Sequence, residues 1–318
     1  MKIFYAICLM ILMIGCSEQI KNDKKIQDEV QSSPSDSSSK SYNSESLGNN
    51  NVIIKNKENL IGNWVGWFES DMGNQDNDLA NEAIYWGREN KITISIEEIE
   101  GGNVKGHSIV AGNYRPFSGT ISDLETEFTL ELKEPGDNQY DGSFQISMEK
   151  NQKILSGKWK AYKSIQINKR KYELTKKIFE YNPNQELENS SSYVDWTKLK
   201  TEKFKEEYEG EIFESISTSF STATDSIYSI NASNRMLSKN DLENLKKGDL
   251  LIIRNTIYAR HGFSFKNRPL RIFFDAQEWY MPVNMNIKPQ LTEIEKKNIQ
   301  LLLKYEKNSI EYYDSFGR

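Results

Sequence analysis

The middle of the chain alternates apolar and polar residues. Ile92, Ile94 and Ile96 are separated by single polar residues in KITISIEEI, and the runs EFTLELKE and GSFQISMEK have the same period of two. Strict alternation puts one side of a strand on an apolar core and the other in water, which is typical of antiparallel sheets. We therefore predict about eight strands between residues 60 and 181, closing into an antiparallel barrel within a β domain of residues 57–182.

Two short motifs bear on what such a barrel holds. Gly62-Asn63-Trp64 resembles the G-x-W of lipocalin-like barrels, in which the tryptophan plugs one end, and Gly157-Lys158-Trp159 fits the same pattern. Aromatic residues also flank a long polar loop at 70–83. We expect the interior to be filled by the barrel's own side chains. The alternative is a lipocalin-like carrier that holds one small ligand in its mouth.

Beyond residue 236 the spacing of apolar residues lengthens to that of helices. Ser238 is the predicted cap of a first short helix, which ends at Gly248. Asp249 then caps a second helix from Leu250 to His261, and Gly262 supplies the left-handed residue that stops it.

A short aromatic helix and a final helix complete a small, mainly α-helical domain of residues 237–308. Thr292 caps the final helix, with Glu295 in a capping box. The predicted fold class is α+β with two domains, an antiparallel barrel followed by the helical domain. Residues 183–236 are predicted to be a linker or irregular connector because their composition is polar and their pattern mixed.

Two of the predicted helices carry polar residues on the face that should be buried. At 100° per residue, Arg254 and His261 share a face with apolar residues of the second helix, while Asn255 and Arg260 point elsewhere. A buried guanidinium must be paired. We expect Arg254 to be met by Glu295, Asn298 or Glu278, and His261 to pack against Trp279 or Phe265.

These same residues resemble the YARHG domain, named for its Tyr-Ala-Arg-His-Gly string. The resemblance covers residues 237 to 307, and the family usually has an acidic residue where Thr256 stands. It implies an extracellular bacterial module, often carried by lipoproteins, and names no reaction. The matching positions, which we take as structural or binding residues, are Arg254, Asn255, Tyr258, Arg260, His261, Gly262, Trp279, Glu295 and Asn298.

The N-terminus predicts a lipid anchor. Lys2 precedes an apolar run from Ile3 to Ile14, which is too short to span a bilayer and has the form of a signal peptide, residues 1–15. The ending MIGC is similar to a bacterial lipobox, which implies that Cys16 is acylated and becomes the mature N-terminus. Residues 16–56 then form a lipidated, disordered tether. We expect the protein in the cell envelope, at the outer membrane or cell surface, with the membrane as a partner.

Composition narrows the functional classes. The formal net charge is −5, and a mildly acidic chain lacks the basic field that nucleic-acid binding requires. The two histidines, His107 and His261, fall in different predicted domains, so we expect no metal site, and no motif calls for a cofactor.

We interpret the protein as a non-enzymatic module that binds an envelope polymer or a partner protein. The alternatives are an envelope hydrolase using Tyr258, Arg260 and His261, and the lipocalin-like carrier described above.

Overall fold

The computed structural model describes residues 57–71, 89–189, 192–208 and 210–315. The predicted signal peptide, Cys16, the tether and most of the polar loop at 70–83 lie outside the described residues. The strands are β1 Gly62–Ser70, β2 Asn90–Glu100, β3 Asn103–Val110, β4 Asn113–Asp123, β5 Glu127–Lys133, β6 Gly142–Glu149, β7 Ile154–Ala161, β8 Lys169–Lys177, β9 Val194–Tyr208, β10 Glu211–Thr222 and β11 Tyr312–Asp314. The helices are α1 Lys239–Leu242, α2 Lys247–Arg260, α3 Arg268–Asp275 and α4 Glu293–Glu306.

Strands β1 to β8 form a closed antiparallel barrel in sequence order, so the predicted fold class is confirmed. Closure is made by β1 and β8, which pair along eight positions from Asn63↔Lys177 to Ser70↔Arg170. Alternate residues of each strand point inward, because successive side chains of a strand face opposite sides of the sheet. The inward set makes one continuous apolar core.

The interior of the barrel is filled by apolar side chains, among which aromatic rings form a cluster. Phe68 lies 5.6 Å from Trp159 and 6.1 Å from Tyr172 between ring centroids. Inward-facing glycines leave room for these rings. A methyl group built on Gly157, for example, would lie 2.1 Å from the carbonyl oxygen of Gln145 and 2.7 Å from the hydroxyl of Tyr172. The expectation of a self-filled barrel therefore fits the structure better than that of a hollow carrier.

Both ends of the barrel interior contain a polar contact. At one end Trp64 is 1 % exposed, and its indole N–H donates to the carbonyl of Leu60 at 2.8 Å. At the other end the buried carboxylate of Glu134 accepts hydrogen bonds from the backbone N–H of Gly142, 2.7 Å, and the indole of Trp159, 3.2 Å. Burial raises the pKa of Glu134 to about 7 despite these donors.

The first half of the outward face of β2 is covered rather than solvated. Helix α3 packs against this strand, and Thr93 and Ser95 are buried. The backbone N–H of Lys91 donates to Asp275 at 2.8 Å, and its ammonium donates to the carbonyl of Gln277 at 2.6 Å. The prediction that this face of β2 lies in water is therefore wrong for residues 91–95, because the helical region packs directly on the barrel, and holds for Glu97, which is exposed.

The helical region begins differently from the prediction. Gly248 does not end the first helix and Asp249 does not cap the second, since α2 begins at Lys247 with Lys246 as its cap. Asp249 stands at the third position of α2, where its carboxylate accepts from the backbone N–H of Lys246 at 2.8 Å. The carboxylate near the helix start still satisfies a free N–H, as a capping residue would.

The connector is more ordered than its composition predicted. Within residues 183–236, β9 and β10 form a long antiparallel hairpin that β11 extends at its base. Other connector residues, Tyr193, Ile227 and Ala232, belong to the core of the helical region. Among the described residues, no helix is both long and apolar enough to cross a bilayer.

Candidate functional site

The YARHG string stands at the end of α2, which is buried on nearly all sides. Its core residues Leu250, Ile253 and Ile257 are almost fully enclosed. The polar residues that sequence analysis placed on the outer side of the helix, Asn255 and Arg260, are also buried. The helix therefore runs through the helical region rather than along its surface, and every polar side chain on it needs an internal partner.

His261 is the centre of a closed polar cluster. Its side chain is 3 % exposed, and its Nε2 lies 2.8 Å from a carboxylate oxygen of Glu295. The ring of Tyr181 stacks on the imidazole at 4.2 Å between centroids and 13° between planes. The prediction that His261 packs against Trp279 or Phe265 is wrong, because the segment that follows β8 folds over the end of α2 and brings Tyr181 to this position.

Glu295 links His261 to the start of α4. The carboxylate accepts from the backbone N–H of Thr292 at 2.9 Å as part of the predicted capping box, and from the hydroxyl of Tyr181 at 3.0 Å. Burial alone would raise the pKa of Glu295, but the hydrogen bonds from His261 and Thr292 outweigh it and hold the pKa below its usual value. This side chain is fully buried and satisfied as an anion.

Arg260 is buried beside the same cluster. Its Nε donates to the carbonyl of Gln185 at 2.8 Å, and one terminal nitrogen donates to the hydroxyl of Ser233 at 3.1 Å. Burial lowers the pKa of Arg260 to about 10, which the nearby Tyr181 and Glu295 partly offset. Arg260 thus ties two pieces of the connector to α2.

Arg254 is paired, but with none of the predicted partners. It forms a bidentate ion pair with Glu306 near the end of α4, at 2.9 and 3.1 Å. Burial would lower the pKa of Arg254, but the charge of Glu306 more than compensates and raises it. Glu295, Asn298 and Glu278 were wrong as partners because α2 and α4 cross with the end of α4 beside the middle of α2.

Asn298 holds a turn of the connector in place. Its amide oxygen accepts from the backbone N–H of Leu237 at 2.9 Å, and its amide nitrogen donates to the carbonyls of Ala232, 2.8 Å, and Arg235, 2.7 Å. Asn255 donates to the carbonyl of Leu251 one turn earlier in α2, at 2.8 Å. Both asparagines are buried, and their side-chain amides hydrogen-bond to backbone groups.

The remaining motif positions shape the end of α2. Gly262 has φ of +69° as predicted, and its carbonyl accepts from the backbone N–H of Val283 at 2.9 Å. Tyr258 is buried and makes an edge contact with Phe263 at 6.2 Å. Trp279 lies edge-on to Tyr280 at 6.3 Å and does not reach His261.

The residues that complete the cluster were missed by sequence reasoning. They lie in segments read as a strand end, a connector or the far end of the last helix, namely Tyr181, Gln185, Ser233 and Glu306. The sequence carried a weak signal for Tyr181 only, as an aromatic residue immediately before a polar stretch. Nothing in the local pattern marked the others.

The geometry of this cluster limits its chemistry. A His–carboxylate pair can move a proton if a substrate reaches the free side of the imidazole. Here that ring is stacked under Tyr181 and almost unexposed, so no substrate atom can approach it in this conformation. His107 lies instead on β3 of the barrel, where it pairs with Glu97 at 2.9 Å and stacks on Tyr114. Within the part of the chain that the structure describes, no group of three or more potential ligands could hold a metal ion.

Residues 226–307 match the family model of the YARHG domain. The protein carries a YARHG domain. The match begins eleven residues before the predicted start at 237, in the short helix Asp225–Tyr228, whose Ile227 belongs to the same core. No curated protein and no solved structure matches the chain. The family match therefore agrees with the structure on the extent of the helical region, and it assigns no reaction to the cluster.

Proposed function

We propose that the protein is a lipid-anchored, non-enzymatic envelope protein. Its YARHG domain is a rigid scaffold, and recognition takes place on the outer surface of the molecule. The observation that supports this most directly is the enclosure of His261, Arg260 and Glu295, each buried and each hydrogen-bonded within the molecule. Buried polar groups with fixed partners stabilise one conformation. A hydrolase using Tyr258, Arg260 and His261 would require this cluster to open.

The candidate surface for recognition lies on the outer face of β4 to β7. It is a depression of about 610 Å³ lined by polar side chains that include Thr120, Ser122, Thr129, Glu131, Gln145 and Lys158. Four adjacent strands spaced about 4.8 Å apart present these groups over roughly 15 Å. Such an array of hydroxyl, amide and charged groups suits a hydroxyl-rich polymer better than an apolar ligand.

A binding assay with purified envelope polysaccharide tests the proposal. Filling the depression with Gln145→Arg is expected to weaken retention of the protein at least tenfold, whereas Thr175→Arg on the exposed face of β8 should leave it unchanged. Both variants should melt at the wild-type temperature, since both positions face outward. Equal retention by both variants, or turnover of the polymer by the wild type that His261→Ala abolishes, would refute the proposal.

A further inference from the structure

The hairpin β9–β10 is the most exposed element in the described chain. Beyond its base, nearly every residue of both strands is exposed. Large apolar side chains lie on both of its faces, with Ile212 68 %, Ile216 65 % and Phe213 51 % exposed. A two-stranded ribbon alone in water is marginally stable at best, and a third strand is normally needed. The hairpin therefore has both the surface and the physical need for an additional strand.

The two edges of the hairpin differ. β9 carries Lys198, Lys200, Lys203 and Lys205, which are the side chains that native proteins place on edges to discourage pairing. β10 has no lysine, arginine or proline, and it is rich in isoleucine, phenylalanine, serine and threonine, which favour strands or tolerate them. β11 covers its outer edge only at Phe220–Thr222. β9 is also an edge strand, but the edge of β10 from Glu211 to Ser219 is the one that carries no lysine to discourage pairing.

This open segment is suited to pairing with itself. It is centred on Ser215, so a twofold axis normal to the sheet at that residue would pair the whole segment antiparallel with a second copy. Ser215 then faces Ser215 of the other copy, and Glu214 faces Ile216. No two like charges are opposed, which would destabilise the pairing. Ile212 and Ile216 of each copy would stand diagonal to Ile216 of the other on one face.

Charge complementarity supports the same arrangement. The tip of the hairpin is acidic, with Glu206, Glu207, Glu211 and Glu214, while the strand behind β10 carries the lysines. In the twofold arrangement Glu211 faces Ser219 of the other copy, whose neighbour on β9 is Lys200. Glu214 likewise faces Ile216, whose neighbour is Lys203. Each acidic tip would thus lie two strand spacings, about 10 Å, from the basic row of the opposite hairpin. At that distance the opposite charges attract at low salt without forming direct ion pairs, and Glu214 keeps its pair with Lys205 of its own hairpin.

We propose that the Glu211–Ser219 edge of β10 is a self-association site, at which two copies of the chain join their hairpins into one four-stranded antiparallel sheet. The occupant is a second copy of this chain, and the contact is main-chain pairing reinforced by the isoleucines, with long-range attraction between the acidic tips and the basic rows. The barrel and the YARHG cluster take no part in it.

Disulfide trapping of the full-length chain tests the pairing and its register. Directly opposed residues in an antiparallel pair have Cα atoms about 4.5–5.5 Å apart, within the range of a disulfide. Ser215→Cys is therefore expected to give a reducible dimer as its main product on mild oxidation. Thr218→Cys is the matched control, because its two copies would lie six residues apart along the strand, roughly 20 Å, and should give at least tenfold less dimer.

The wild-type chain controls for crosslinks through Cys8 and Cys16. Equal trapping by Ser215→Cys, Thr218→Cys and wild type would overturn the proposal.

Sedimentation of the full-length chain in mild detergent supplies an independent readout. Ser215→Lys places two lysines opposite each other and should raise the dimer dissociation constant at least tenfold, while Thr201→Lys on β9 should not. Circular dichroism of both variants checks that the hairpin is kept. A wild-type chain that stays monomeric, or a dimer lost in Thr201→Lys but kept in Ser215→Lys, would contradict the assigned edge.

Discussion

The barrel and the YARHG domain solve the same problem, the filling of an interior, in opposite ways. The barrel uses apolar side chains, with aromatic rings against inward glycines, and one of its buried carboxylates, Glu134, has a pKa raised by burial. The YARHG domain uses charged side chains that find partners far along the chain, and one of its buried carboxylates, Glu295, has a pKa held low by its donors. The two glutamates show that the partners of a buried acid, more than its burial, decide whether it stabilises the fold as an anion.

The largest effect is expected from Glu295→Ala. This change removes the acceptor for His261, Tyr181 and the start of α4 together, and each buried donor left unsatisfied costs about 1–3 kcal/mol. Denaturant unfolding of the two proteins measures the loss. Glu293→Ala, two residues earlier and pairing with Lys296 on the surface, should leave stability close to that of the wild type. Similar effects of the two changes would mean that the cluster does not hold the domain together.

Glu134 predicts that the stability of the protein falls as pH rises. Because its folded-state pKa is about 7 against a usual 4.5, its contribution is complete below about pH 4.5 and is lost as pH rises to 7 and beyond. The loss amounts to at most about 3 kcal/mol. Unfolding free energies measured from pH 4 to 8 should therefore decline less in Glu134→Gln than in wild type. Glu131→Gln, on the exposed face of the same strand, should follow wild type. Parallel curves for all three proteins would show that Glu134 does not cause the decline.

The fit of rings against glycine in the barrel is tested by Gly157→Ala. The added methyl group meets the carbonyl oxygen of Gln145 and the hydroxyl of Tyr172, and overpacking of this kind costs about 1–3 kcal/mol. A calorimetric comparison with Ser156→Ala, the outward neighbour on β7, isolates the effect. A Gly157→Ala barrel as stable as the Ser156→Ala barrel would show that the interior has room to spare.

The smallest effect is expected from Arg254→Lys. Lysine keeps the charge but cannot make the bidentate contact with Glu306, so about 1 kcal/mol should be lost. Arg235→Lys at the exposed pair with Asp241 is the control and should lose less than about 0.5 kcal/mol. Equal losses in chemical denaturation would indicate that the Arg254 pair behaves as a surface contact.

The same comparison explains what could be predicted from sequence. The alternation of Ile92, Ile94 and Ile96 is local, so the strands and the barrel followed from it. The capping box of Thr292 and Glu295 and the left-handed Gly262 are also local features and were predicted. The partners of Arg260 and Glu295 come from Gln185, 75 residues away, and Tyr181, 114 residues away. Contacts between residues so far apart in sequence depend on how the connector folds. The polar composition of the connector showed no clear periodicity from which its fold could be predicted.

The hairpin was missed for a different reason, which lies in its own sequence pattern. Its strands were hidden because Lys and Glu occupy the positions where alternation would otherwise place apolar residues, as in Lys203 and Lys205 of β9. Most of its length has no core behind it, so the usual signal of a half-buried strand is missing.

The central claim is that the YARHG string is enclosed scaffolding, and the chain's two histidines allow a direct test. Diethyl pyrocarbonate modifies imidazoles that solvent can reach, and peptide mass spectrometry can follow His107 and His261 separately. The side chain of His107 is 15 % exposed and that of His261 3 %. We predict that His107 reacts in the native protein, while His261 reacts only as the protein unfolds. Native modification of His261 at the rate seen in denaturant would contradict the claim.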